Sequence, residues 1–447
     1  MNKETDMNVP SLSLAGLSKI VIPSVLVYMM IAMYGVVDSF LIARLVNSTA
    51  IAATNIFLPI GALFTGLGYM IGTGANAAIM ELHGKGSHDL AGRLCSGILT
   101  YALVISLVCP ALIYIFRGQV LGFFGMTPGN EAYVLEYFNI LILFMPALLI
   151  SCVLNLLLIG QEAVMTVALL ELCGGLTNCI LDVVLMKHFG LGISGAAAAA
   201  GTGYLLQTVL AVILIARRRL FGFSPGFIPI KEITPVFFNG ISELLSMTSA
   251  GILTIMLNRA AADFYSSVGT SVVCVVSNVT YLSDSLFIGI MVVVEPMIAY
   301  FYGRDNRDEI RSICKKTITL ICILTAVTVL SAVLAARPLS DAYFHPDKEG
   351  AALCTRALLF AGASFLFSGF GIFVSGYFTG CTDGKTSGLF SVLRNIVFCM
   401  FFLAVLTGIF GGIGIWASIV ATQLSSAILG FFLIKRQGYL LKISHLV

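Results

Sequence analysis

The chain has 447 residues, 58% hydrophobic and 11% charged, with a mean hydropathy of +1.00. So little charge cannot cover a globule in water, which excludes a soluble enzyme and makes lipid the solvent for most of the surface. A net charge of +3, without a basic stripe or zinc-type cysteine spacing, excludes a nucleic-acid partner.

A bilayer core is crossed by ~20 apolar residues in a helix. Twelve predominantly apolar runs of that order occur, at 20–42, 51–80, 94–116, 132–158, 163–186, 193–216, 235–262, 270–302, 311–335, 351–379, 388–408 and 412–434. Their length is helical and unlike the short alternating segments of an outer-membrane barrel. The expected fold is an all-α membrane protein with twelve transmembrane helices. Residues 1–19 carry Lys3, Glu4 and Asp6 without a small-residue cleavage site and read as a cytoplasmic tail.

Span 1 contains Pro23, a candidate hinge because proline removes one helical hydrogen bond. It also carries Tyr28, Tyr34 and Asp38, and span 2 carries Tyr69. Tyrosine faces in a cavity stack on organic cations. On span 5, Glu171, Asn178 and Asp182 are spaced i, i+7, i+11, a single helical face. Spans 1 and 5 run in the same direction, and Asp38 and Asp182 fall at matching depth. An ionisable residue at a span centre costs ~2.5–3.5 kcal/mol on insertion scales, so such residues point to function. Two carboxylates with an amide between them share a proton or hold a monovalent cation, since both cannot stay ionised in low dielectric without a counterion. The competing reading for each acid is a plain hydrogen bond to a neighbouring helix.

Residues 217–234 hold three consecutive arginines with Pro225 and Pro229, a basic linker. Beyond it, span 7 carries Glu243 and span 8 carries Asp284 and Glu295, again i and i+11. Ile288 and Met291 lie between them on that face. A wall anionic at two heights with an apolar middle suits a lipophilic cation, and Pro296 loosens the helix beside it. Arg259 and Arg394 are candidate ion-pair partners for these acids, although Arg394 on span 11 reads more as a structural anchor in the cytoplasmic half.

Counted by loop parity, eighteen Lys and Arg fall on the side of the N-terminus and seven on the other. That asymmetry places both termini in the cytoplasm. The eleven cysteines sit almost entirely within spans and read as apolar packers. Gly84 and Gly303, Asp89 and Asp308, Cys95 and Cys314, Gly195 and Gly414, and Arg217 and Arg436 are each 219 residues apart. The chain is therefore a duplicated six-helix unit. An even number of helices gives both copies the same orientation, so the pseudo-twofold axis runs along the membrane normal. The implied division is a tail 1–19, an N-lobe 20–216, a linker 217–234, a C-lobe 235–434 and a tail 435–447.

A cleft between two membrane lobes is a natural substrate site, which makes transport the economical function. There is no GxxxxGK[ST] phosphate loop, so ATP is not the motor and an ion gradient or a partner supplies the energy. No clustered catalytic set appears, so an enzyme or an assembly factor is the more distant reading.

The whole chain resembles the multidrug and toxic compound extrusion (MATE) family. The resemblance rests on Pro23, VVDSFLIARL with Asp38, GLGYMIGTGANAA in span 2, TNCILDVVLM with Asn178 and Asp182, the following GLGISGAAAAA, and the duplicated charged loops. It implies a V of two six-helix bundles in the cell's inner membrane, a monomer that exchanges cytoplasmic organic cations for protons or sodium ions. It also implies a proton or Na+ site at Asp38, Asn178 and Asp182. Eighteen residues past the span-5 aspartate the family has a threonine where this chain has Ala200, with Thr202 on another face, and this favours the proton over sodium. Glu171, Glu243, Asp284, Glu295, Tyr34 and Tyr69 are the candidate cavity residues. A lipid-linked saccharide flippase of the same superfamily is the alternative, opposed by the mainly acidic intramembrane charge.

Overall fold

A computed structural model describes residues 13–45, 48–124, 126, 131–160, 163–218, 228–344 and 347–436. The side chains at 31–45, 48–53, 55, 250, 252 and 267 fall outside that description. Every described element is helical, as lipid requires of a backbone that must satisfy its own hydrogen bonds. The long helices are α1 Leu14–Leu45, α2 Ser48–Gly84, α3 His88–Ile115, α4 Glu131–Gly160, α5 Val164–His188 and α6 Gly192–Arg217, then α7 Ile241–Ser266, α8 Val268–Gly303, α9 Arg307–Phe344, α10 Lys348–Gly380, α11 Gly384–Phe410 and α12 Gly412–Arg436. All but α1 are apolar and long enough to cross a membrane; in α1 the described apolar stretch is Leu14–Met30.

The helix starts follow from local chemistry. Asp347 caps α10 by accepting from the amides of Glu349 and Gly350, and Asp383 caps α11 through the amide of Thr386. Ser266, at φ 54°, breaks α7 from α8. A short helix, Ile230–Asn239, precedes α7 and begins inside the stretch that the composition assigns to the linker.

The 219-residue repeat is visible in the backbone. Gly192 and Gly411, which open α6 and α12, share positive φ values of 54° and 59°. Gly86 and Asp305 share another left-handed turn, with φ 74° and 51°. The turns are closed alike: the Gly86 and Ser87 amides donate to the carbonyls of His83 and Leu82, and those of Asp305 and Asn306 to Tyr302 and Phe301. The left-handed conformation is ordinary for glycine and tolerable for aspartate, so the same turn survives the sequence change.

Burial separates centre from periphery. The most apolar windows of α4 and α8 are 67% buried, against 22% for α3 and 17% for α9, whose apolar side chains face outward. A helix apolar on every side and exposed in this way has lipid as its solvent. The two halves meet along α2 and α8, which cross where the charged loops begin. A Cβ on Gly84 would lie 2.1 Å from the Tyr300 carbonyl oxygen, and one on Gly303 would lie 2.1 Å from that of Glu81. Glu81 and Tyr300 are themselves 219 residues apart. The crossing is thus a backbone-to-backbone contact on the twofold axis, open only to glycine.

Candidate functional site

Away from that crossing, the halves part around a cavity of about 280 Å³. Tyr28 of α1 and Tyr69 and Asn76 of α2 line it from the first half, and Glu243 of α7, Asp284 and Glu295 of α8 and Arg394 of α11 from the second. Glu295 lies eight residues from Gly303, about two helical turns. The nearest acid of the cavity wall therefore lies about two turns from the glycine crossing. Ile288 and Met291 line the wall between the two α8 acids, as their spacing anticipates. Pro296 lies on the same wall.

Arg394 requires a correction. Read from the sequence as an anchor, it instead faces the cavity, 8% exposed, where it acts electrostatically on Asp284 and Glu243. The cause is a π turn at Leu393–Val397 in α11, whose extra residue turns Arg394 and the adjacent Asn395 onto one wall. The Nε of Arg394 donates to Gln423 Oε1 of α12 at 3.3 Å, and Asn395 Nδ2 donates to Ser246 Oγ at 3.0 Å. A lone arginine in a span carries no periodicity that would have revealed this.

The predicted ion-coupling residues divide. Asn178 and Asp182 are both fully buried within the first half, one turn apart on α5. Neither polar atom of the Asn178 amide makes a hydrogen bond among the described residues, so the amide retains its full capacity to ligate. Asp38 and Tyr34 belong to α1, but their side chains lie outside the described residues. Thr202 donates to the Ala198 carbonyl at 2.7 Å, and Ala200 packs in the apolar core. The hydroxyl proton is thus committed to its own helix. Pro23 sits inside α1, and the neighbouring Ser24 and Val25 backbone is met by α8, since a Cβ on Gly289 would lie 2.7 Å from Val25 Cα.

Glu171, a cavity candidate by sequence, does not line this cavity. Its two carboxylate oxygens accept from Asn155 Nδ2 of α4 at 2.7 Å and from Gln207 Nε2 of α6 at 3.0 Å. It acts at one remove, because Tyr28 lies within electrostatic reach of both Glu171 and Glu243 and interacts with the Tyr69 hydroxyl. The partners Asn155 and Gln207 escaped the sequence reading; their signal was a polar residue within an otherwise apolar run. Replacing Gln207 with leucine strips one donor from a buried carboxylate and is expected to cost about 1–3 kcal/mol. Thermal unfolding of the detergent-solubilised protein measures this as a lower Tm than wild type; an unchanged Tm would sink the assignment.

Twelve long helices among the described residues, in a twofold-related pair with buried carboxylates in each half and a cavity between them, define a duplicated polytopic membrane protein. The MatE family model matches residues 23–184 and 240–402, nearly the same stretch of each half, and the chain belongs to that family. It is similar to the Multidrug export protein MepA of Staphylococcus saprophyticus, 24% identical over 412 residues that span 91% of this chain and 90% of that protein. MepA of Staphylococcus aureus is 23% identical, with 90% and 89% covered. Among solved structures, the fold matches an outward-facing multidrug resistance MATE family transporter of the MOP superfamily at TM-score 0.86 and 20% identity, covering 94% of this chain and 95% of that one. A variant of the Vibrio cholerae MATE transporter VcmN matches at TM-score 0.86 and 16% identity, with 96% and 99% covered.

Proposed function

We propose that the chain is a secondary antiporter that exports organic, chiefly cationic, compounds in exchange for protons, as a monomer without ATP. The observation that carries this reading is the cavity wall of Glu243, Asp284 and Glu295 together with aromatic Tyr28 and Tyr69. Acids supply charge complementarity and ring faces supply cation–π attraction for varied cations. Three carboxylates against one arginine do not suit a pyrophosphate-linked sugar. The export role named for the MepA relatives supports the same reading.

With the termini inside, as the loop cations argue, the crossing is on the cytoplasmic side, and its tight backbone contact suits an outward-facing state. In the proposed cycle a proton from outside enters the Asp38, Asn178 and Asp182 region and alters the packing of α1 and α5. Pro23 bends α1 beside Gly289 of α8, which links the ion site to the lobe interface. Loss of the outward cavity then expels the substrate. Such coupling needs different affinities for the ion in the two access states, since equal affinity shifts nothing. Ala200 at the family's threonine position offers no oxygen ligand there, which favours the proton over sodium.

The test is ethidium transport in inverted membrane vesicles with a pH gradient and a sodium gradient imposed separately. A pH gradient alone is expected to drive uptake. Uptake driven only by sodium would overturn the ion assignment, and uptake under neither gradient would overturn antiport.

A further inference from the structure

Arg394 is the most expensive residue in the cavity, a guanidinium buried at the depth of a lipid-embedded helix. The fold is shaped to hold it there. On α10, a Cβ at Gly371 would approach Arg394 Nε to 3.0 Å and Cζ to 3.2 Å, so glycine leaves room that a methyl would crowd by a few tenths of an ångström. From α12, Gln423 accepts the Nε proton. The π turn of α11 aims the side chain inward. The ion pairs closer than 4 Å among the described residues, such as Lys85 with Glu81 and Arg311 with Asp308, lie at loops. Arg394 belongs to none of them; it stands off from the carboxylates of Glu243 and Asp284, within electrostatic reach of both and locked to neither.

We infer that Arg394 is a tethered counter-cation that sets the charge specificity of the cavity, balancing Glu243 and Asp284 when the cavity is empty and yielding them to the substrate cation on binding. This rests on the cation-transport reading above. Without a tether, the carboxylates of an empty cavity would lie in low dielectric with no counter-charge, and they would be neutralised by protons instead. With it, the acids stay available, and a single positive charge on the substrate replaces a single positive charge of the protein. Gln423 holds the guanidinium by one hydrogen bond beside the cavity, so that it stays within the electrostatic field of the wall acids during the exchange. Arg394 is a specificity-determining residue here, and its loss leaves the wall one charge more negative.

Equilibrium binding to the full-length protein in nanodiscs tests this with two probes, tetraphenylphosphonium with one positive charge and dequalinium with two. Arg394→Gln is expected to raise the preference for dequalinium over tetraphenylphosphonium by about tenfold, while Arg394→Lys, which keeps the charge, stays within about twofold of wild type. An unchanged ratio in Arg394→Gln, or a Lys variant shifted as far as the Gln variant, overturns the tether. If Arg394→Gln fails to fold, Gly371→Ala carries the test, because it crowds the guanidinium without removing its charge. Its ratio is expected to move in the same direction, and a ratio left at the wild-type value overturns the proposal. Failure of wild type to bind either cation would instead overturn the cavity reading on which the tether rests.

Discussion

Asp182→Asn is expected to abolish gradient-driven export while leaving equilibrium binding of a cationic dye within about threefold of wild type. Asparagine has nearly the shape of aspartate, so the fully buried position on α5 can be refilled without a cavity or a clash. What it lacks is a group that takes and gives up a proton. A one-unit pH gradient offers about 1.4 kcal/mol per proton, or about tenfold accumulation of substrate for each proton exchanged. Without the titrating group that drive is lost and the accumulation ratio falls to about one, whatever the affinity. Binding is spared because the cavity of Tyr28, Glu243, Asp284 and Glu295 is built from other helices. Proteoliposomes with an imposed pH gradient measure the ratio directly, and Glu171→Gln serves as the comparison, since its carboxylate is occupied by Asn155 and Gln207. Wild-type accumulation in Asp182→Asn would remove the ion site from α5.

Why some of this was legible in the sequence and some was not has a physical basis. Lipid forces every apolar run of sufficient length into a helix, so the twelve helices and their twofold arrangement follow from hydropathy and the 219-residue repeat. Helical periodicity likewise placed Asp284, Ile288, Met291 and Glu295 on one wall, because α8 is regular there. The rule has no purchase at α11, where a π turn interrupts the phase around Arg394, a lone charge on the cavity wall. It also fails for Glu171, whose direction was set by partners on α4 and α6 and not by its own helix. Spacing reports which residues share a face; it does not report what the facing helix offers. The glycine crossing was visible only as a repeated letter at Gly84 and Gly303 until the carbonyls of Tyr300 and Glu81 gave it a meaning.

That crossing yields the other large expected effect. Gly303→Ala, and equally Gly84→Ala, is expected to open the end of the bundle that bears the charged loops and to slow transport severely. The added methyl would sit 2.1 Å from a backbone carbonyl oxygen, and unlike the tip of a flexible side chain a helical backbone cannot step aside. Relief comes only by separating α2 from α8, which is the motion that opens this side of the cavity. Overpacking of this kind costs about 1–3 kcal/mol, and more where backbone is the obstacle. The penalty falls on the closed state alone, so the equilibrium between access states shifts by about 5- to 150-fold toward the open one. Gly118→Ala is the matched control, since a Cβ there meets nothing within 4 Å. Spin labels at Lys85 and Arg304, on the loops of the two halves just past the crossing, read the distance between them. A longer distance in both crossing variants, with Gly118→Ala at the wild-type value, is the expected pattern. Unchanged distances would mean that the two halves do not part at this crossing, and alternating access would then need another hinge. Because Gly84 and Gly303 face each other's helices across the twofold axis, the double variant is expected to add little once the crossing has already parted. Coupled neighbours respond in this way, whereas independent sites would add their costs in full.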